Sequence, residues 1–198
     1  MALDNMSSVI SSAAWQQRNQ EVASDLIAFI GGPAKEGERT LVIGGAARPD
    51  VALERLLKSV MRHQAGGSDS LFDPDRPLGT FSAKIALAYR LGLIDDDFEH
   101  ALHVIRRIRN DFAHAITLVH LADSANFNRV RELTNIARKA PHYETGPEAI
   151  SKMVPEGVSH RDLIVSLVVV LFLLAAGLER TAMLSSPTNF ATAKIQEL

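Results

Sequence analysis

The sequence predicts an all-α, single-domain bundle of about six to eight helices, on three observations. Between Phe98 and Ile116, the residues Phe98, Ala101, Leu102, Ile105, Ile108, Phe112, Ala115 and Ile116 share one stripe at about 100° per residue, as in a helix packed against others. Leu163 to Leu178 is apolar nearly all round, which suits a helix buried on every side. Elsewhere helical spacing recurs between clusters of Gly, Pro, Ser and Asp. Only TLVIGG (Thr40 to Gly45) could be a short strand, and no partner strand is evident.

A chain of 198 residues is long enough for one sizeable core and short for two domains. We expect a flexible arm over 1–8, one helical domain over 9–182 and a loosely held tail over 183–198. Hydrophobic residues at 46% and charged residues at 22% describe a globular chain rather than a disordered one. A net charge of -2 argues against coating nucleic acid through bulk positive charge. With no Cys there are no disulfides and no thiolate metal sites, which fits a reducing compartment. The start MALDNMSSVISS lacks the basic and apolar regions of a secretory signal, so a cytoplasmic location is expected.

In chain order, Ala14, Val22, Leu26, Phe29 and Ile30 predict a helix over 8–30, stopped by Gly31-Gly32-Pro33. Trp15 reads as a packing or subunit-contact residue. Glu36 to His63 is one kinked helix or two, because Gly44, Gly45 and Pro49 interrupt its period. QAGGSDSLFDPDRPLG is a loop, after which Thr80 or Ser82 caps a helix to Tyr89 or Leu91 that Gly92 ends. Asp95 or Asp96 then caps the central helix. Asp123 or Ser124 caps a helix to Lys139, and 141–157 reads as an irregular crossing with at most one helical turn around 148–153. Ser159 with Asp162 forms a capping-box-like start for the last helix. Its 16 residues from Leu163 span roughly 24 Å, short of a hydrocarbon layer near 30 Å, so burial in the bundle or a dimer contact is expected instead of a membrane.

The central helix also carries the densest basic and imidazole cluster. His103, Arg106, Arg107, Asn110 and His114 gather opposite the apolar stripe, while Arg109 projects about 20° from Phe98, inside it. A guanidinium there needs a carboxylate or carbonyl partner, and Glu38, Asp50 and Glu54 are the candidates. Glu54 reads first as the i,i+4 partner of Lys58. Lys84 reads as a surface lysine, with carboxylate or anion pairing as the alternative.

Two motifs, PLGTFSAKIALAYRLGLID (Pro77 to Asp95) and IRRIRNDFAH (Ile105 to His114), together resemble the paired signature of the mannitol operon repressor family. The resemblance covers Glu38 to Leu133 best and includes the acidic-Arg pair Glu38-Arg39 and the Asp50 to Leu57 pattern. Arg109 to His114 is also similar to the R-x4-6-H pattern of the HEPN superfamily of helical domains, which implies a HEPN-like bundle. For the nuclease members of that superfamily it implies metal-independent RNA cleavage across a dimer. His114 would then move protons, Arg109 would stabilise charge on phosphate, and Asn110 would hold substrate or orient His114.

Arg109 and His114 lie about 120° to 140° apart on a regular helix, so one molecule could bring them together only by bending or fraying it. The structural reading, a buried Arg109 and a hydrogen-bonded helix-end His114, is therefore preferred. No metal, cofactor or membrane is expected, and His100 and His103 have no third ligand at recognisable spacing. No groove-reading helix is recognisable either. The expected role is that of a mannitol-operon-repressor-type transcriptional regulator. It would work through a protein partner such as another transcription factor, as a homodimer, without direct DNA binding and without catalysis. The competing reading is a HEPN-type endoribonuclease or an inactive RNA-binding relative. The polar residues of interest are Arg109, Asn110, His114, Lys84, Glu38, Arg39 and Glu54.

Overall fold

The computed structural model describes residues 13–32, 36–62, 70–140 and 158–184, and these are all-helical, with six α-helices and no strand. They are α1 (Ala13–Gly31), α2 (Glu38–Val60), α3 (Phe81–Arg90), α4 (Asp96–His114), α5 (Ser124–Ala137) and α6 (Val158–Leu184), with a single 3-10 turn at Ser70–Phe72. Helices α2, α4, α5 and α6 each pack on the next to close a four-helix ring; α1 lies against α6, and α3 bridges α2 and α4. The expected arm, the crossing over 141–157, most of the tail and the Trp15 side chain lie outside the described residues.

Helix α2 settles the ambiguity before Pro49: it is one helix, TLVIGG included, with the buried proline inside it. Tertiary packing outweighs the local helix breakers. A Cβ at Gly44 would come 2.9 Å from the Phe29 ring, and one at Gly45 would come 2.8 Å from Leu167 Cδ1, so the glycines let α1 and α6 close onto α2. Arg48 fixes the same junction. Its Nε donates to Asp25 Oδ2 at 2.7 Å, its Nη1 donates to the Gly44 carbonyl at 2.9 Å, and its guanidinium lies 3.9 Å from the Phe29 ring centre.

The caps follow local chemistry. Thr80 Oγ1 accepts from the Ala83 amide at 3.2 Å, and Asp95 Oδ1 accepts from the Phe98 amide at 2.9 Å. Gly92, at φ 67°, closes α3 in a left-handed turn in which the Leu93 amide reaches the Ala88 carbonyl at 3.0 Å. Helix α6 begins at Val158, so Ser159 lies inside it and is not its cap.

The apolar stretch of α6 is longer than the sequence period implied. Residues His160–Leu178 form 19 residues of mean hydropathy 2.3, long and apolar enough to cross a membrane, and 61% of that stretch is buried inside the fold. Length therefore does not separate a spanning helix from a core helix, and here the stretch packs on α1, α2 and α5. Ser166, fully buried, stays satisfied by donating to the Asp162 carbonyl at 2.7 Å.

Candidate functional site

Helix α4 positions most of the polar candidates. Its buried residues are Ala101, Leu102, Val104, Ile105, Ile108 and Phe112, so its core face centres near Ala101 and Phe112 rather than on Phe98. On the wheel that centre lies about 50° from Phe98, which brings Val104 in and leaves Arg109 at the edge. Arg109 is consequently exposed, contrary to the expectation of a buried guanidinium, and its Nη1 donates to Asn110 Oδ1 at 3.1 Å. None of Glu38, Asp50 and Glu54 pairs with it.

The helix ends at His114, with Ala115 as its extended C-cap, so Ile116 leaves the stripe altogether and is 102% exposed. Leu118 follows at 90%. His114 is exposed and makes no side-chain hydrogen bond among the described residues, in place of the bonded helix-end histidine expected.

Between the end of α4 and the start of α5 lies an open cleft of about 550 Å³ lined by Asn110, Asp111, His114, Ala115, Val119, Asp123, Ala125 and Asn126. Asn110 and His114 therefore share a site; Arg109 does not line it. Asp111 is ion-paired to Arg129, whose Nη1 also donates to Asn126 Oδ1 at 3.1 Å. Asp123 occupies the N-cap position of α5 without capping it, because its Oδ2 accepts from the His120 amide at 2.8 Å. The lining thus holds two carboxylates, two amides and an imidazole, with no Lys or Arg.

Glu38, the first residue of α2, moors the loop beside this cleft. Its Oε2 accepts from the Leu121 amide at 3.0 Å and lies 3.1 Å from His120 Nδ1, while its Oε1 lies 3.1 Å from His160 Nε2. One half-buried carboxylate thus ties α2, the 115–123 loop and the start of α6. Arg39 adds a bond from Nη2 to the Ala113 carbonyl at 3.2 Å. Glu38→Ala should destabilise the fold by about 1–3 kcal/mol, since a partly buried amide loses its acceptor. Urea titration checks this, and loss of protection at the Leu121 amide in hydrogen exchange locates it. His120 and His160 carried no sequence signal, because neither stands at a helical interval from Glu38.

Lys84 is buried at 5% exposure, contrary to the surface-lysine expectation. Its Nζ donates to Glu54 Oε2 at 2.8 Å and lies 2.8 Å from Asp50 Oδ1, which is cut off from solvent and lacks an aligned hydrogen bond. Glu54 Oε1 accepts from Lys58 at 2.7 Å, the expected i,i+4 pair. Burial pulls the Lys84 ammonium down, but the two carboxylates push harder and hold it above 10.5. Burial raises the Glu54 carboxyl, and the bonds from Lys58 and Lys84 outweigh that, leaving it below 4.5. This network pins α3 to α2, and of the two readings of Lys84 it is carboxylate pairing that the structure shows.

His100 Nε2 lies 2.6 Å from Glu132 Oε1, and Lys139 Nζ donates to Asp97 at 2.6 Å and 2.8 Å, so both groups lace α4 to α5. Among the described residues no group of three His, Asp or Glu side chains is arranged to hold a metal ion. No family model matches the chain, and no curated protein or solved structure shows significant similarity to it.

Proposed function

We propose that this chain is a transcriptional regulator of the mannitol operon repressor type, with a HEPN-like bundle, and that it acts by gripping another protein rather than by reading DNA. The observation that carries the proposal is the apolar tip after α4, where Ile116 and Leu118 stand almost wholly in water beside a polar cleft. Burying two such side chains against a partner is worth roughly 3–6 kcal/mol, enough to anchor an interface centre. Direct DNA binding has little support: net charge is -2, and α4, the helix after the LGLID turn, begins with Asp96, Asp97 and Glu99.

Ile116→Ser with Leu118→Ser should abolish regulation in a promoter-reporter strain while the unfolding free energy stays within about 0.5 kcal/mol of wild type, because neither side chain packs on the fold. Purified protein should give no sequence-selective mobility shift with operator DNA. A selective shift, or full regulation by the double variant, would reject the proposal.

A second reading, a HEPN-type endoribonuclease or RNA-binding relative, draws on the placement of Asn110 and His114 in one cleft, with Arg109 bonded to Asn110. Electrostatics favours the first reading. A phosphate in that cleft would meet Asp111 and Asp123 and no cation from the lining. Since α4 stays helical through His114, Arg109 and His114 diverge by about 140° unless a second molecule supplies one of them.

A further inference from the structure

The outer face of α4 is a cationic strip that leads into the apolar tip. His103, Arg106, Arg107, Asn110 and His114 cover an arc of about 100° on it, while Arg109 lies about 60° beyond Arg106, at the edge of the core face. None of Arg106, Arg107 and Arg109 has an ion-pair partner among the described residues; Arg109 is bonded only to the Asn110 amide. The nearest acids are committed or marginal. Asp111 belongs to Arg129, and Glu99 approaches His103 Nε2 only to 3.8 Å. Two nitrogens on this strip, His103 Nδ1 and Arg106 Nε, are shielded from solvent and have no hydrogen-bond acceptor. Burial and then the charge of Arg106 hold the His103 imidazole below its usual range, and Glu99 opposes them only in part.

We infer that the strip and the tip form one surface that receives an acidic, amphipathic protein segment, its carboxylates on Arg106 and Arg107 and its apolar residues on Ile116 and Leu118. The inference rests on the protein-contact reading above and specifies the partner's chemistry. Charge complementarity selects a polyanion, since guanidinium groups bind carboxylates and phosphates alike. The tip selects protein over nucleic acid. Single strands are held chiefly by stacking bases on large aromatic rings, and this surface offers two aliphatic chains and no Phe, Tyr or Trp.

Fluorescence anisotropy with the full chain tests this using three labelled probes: a 16-residue helical peptide of Glu and Leu in amphipathic order, the same peptide with Gln for Glu, and a 16-nucleotide single-stranded RNA. The Glu peptide should bind, more weakly as salt rises. Its affinity should fall about tenfold in Arg106→Gln/Arg107→Gln and again in Leu118→Ser. Equal binding of the Gln peptide would overturn the acidic-partner inference while leaving the protein-contact reading intact. Binding of RNA alone, lost in the arginine variant, would overturn the inference and favour the ribonuclease reading. Absence of binding to all three probes would also overturn it, and the reporter strain would then judge the protein-contact reading separately.

Discussion

Lys84→Met is expected to lower stability at pH 7 by about 3 kcal/mol, the cost of leaving carboxylates beside the core without their cation. The figure sits at the low end because Asp50 and Glu54 keep 31% and 25% side-chain exposure, and Glu54 retains Lys58. Linkage gives the test a second axis. The Glu54 carboxyl is depressed in the fold, so its contribution is complete above pH 4.5 and is lost as pH falls through its lowered value. The Lys84 ammonium is elevated, so its contribution is complete below pH 10.5 and is lost as pH rises through its raised value. Urea unfolding should therefore show a large deficit for the variant at neutral pH that narrows towards both extremes. A deficit under about 1 kcal/mol at pH 7 would mean that Asp50 and Glu54 simply turn to water, and that the pairs do not hold α3 in place.

How far the sequence revealed this molecule depends on the range of each interaction. Helices α3 and α4 were legible almost to the residue because their caps are local: Thr80 bonds three residues on, Asp95 bonds three residues on, and Gly92 supplies its own left-handed turn. The continuity of α2 was not legible. Gly44, Gly45 and Pro49 are poor helix residues in isolation, and only contact with Phe29 and Leu167 turns the two glycines into an advantage.

The same distinction separates right from wrong at the candidate site. An offset of about 20° from Phe98 placed Arg109 in the core. Phe98 is only half-buried, however, and Ile116, which shares its direction on the wheel, lies beyond the helix end, so that flank of the stripe is not core. Leu102 and Arg109 stand about 20° apart on that wheel, yet one is fully buried and the other exposed, because neighbouring helices cover α4 unevenly along its length. Lys84 failed in the opposite direction. Its partners are 30 and 34 positions upstream, and a position in the first turn of α3 carries no trace of them. The conspicuous motif residues thus divide by task. Gly79, Thr80 and Lys84 of the first motif, with Ile105, Ile108 and Phe112 of the second, build the bundle. Arg107, Arg109 and His114 are exposed and Arg106 is half-buried, so these four are not part of the core.

Gly79→Ala should be the second costly change, and its cause is space. The Gly79 backbone is not left-handed, yet a Cβ there would run into the Asp73 carbonyl oxygen and come 2.6 Å from the Pro74 carbonyl oxygen. Both obstacles are main chain: the Asp73 carbonyl accepts from the Arg76 amide at 2.9 Å, and the loop is closed by the Leu78 amide on the Leu71 carbonyl at 3.1 Å. The loop cannot yield cheaply, since Phe72 is buried beneath the Lys58 ammonium, 4.7 Å from its ring centre. Overpacking of this kind costs about 2–3 kcal/mol, which for a chain of this size lowers the unfolding midpoint by roughly 5–10 °C. Gly31→Ala is the control: its Cβ would meet nothing within 4 Å, and its midpoint should move by less than about 2 °C. Because Gly79 precedes the Thr80 cap, the displaced loop should carry α3 away from α2 and weaken the Lys84 pairs. Gly79→Ala and Lys84→Met should therefore cost less together than the sum of the two alone, by at least about 0.5 kcal/mol. Strict additivity in that cycle would mean that the loop and the buried lysine act independently, and that Gly79 serves only its own turn.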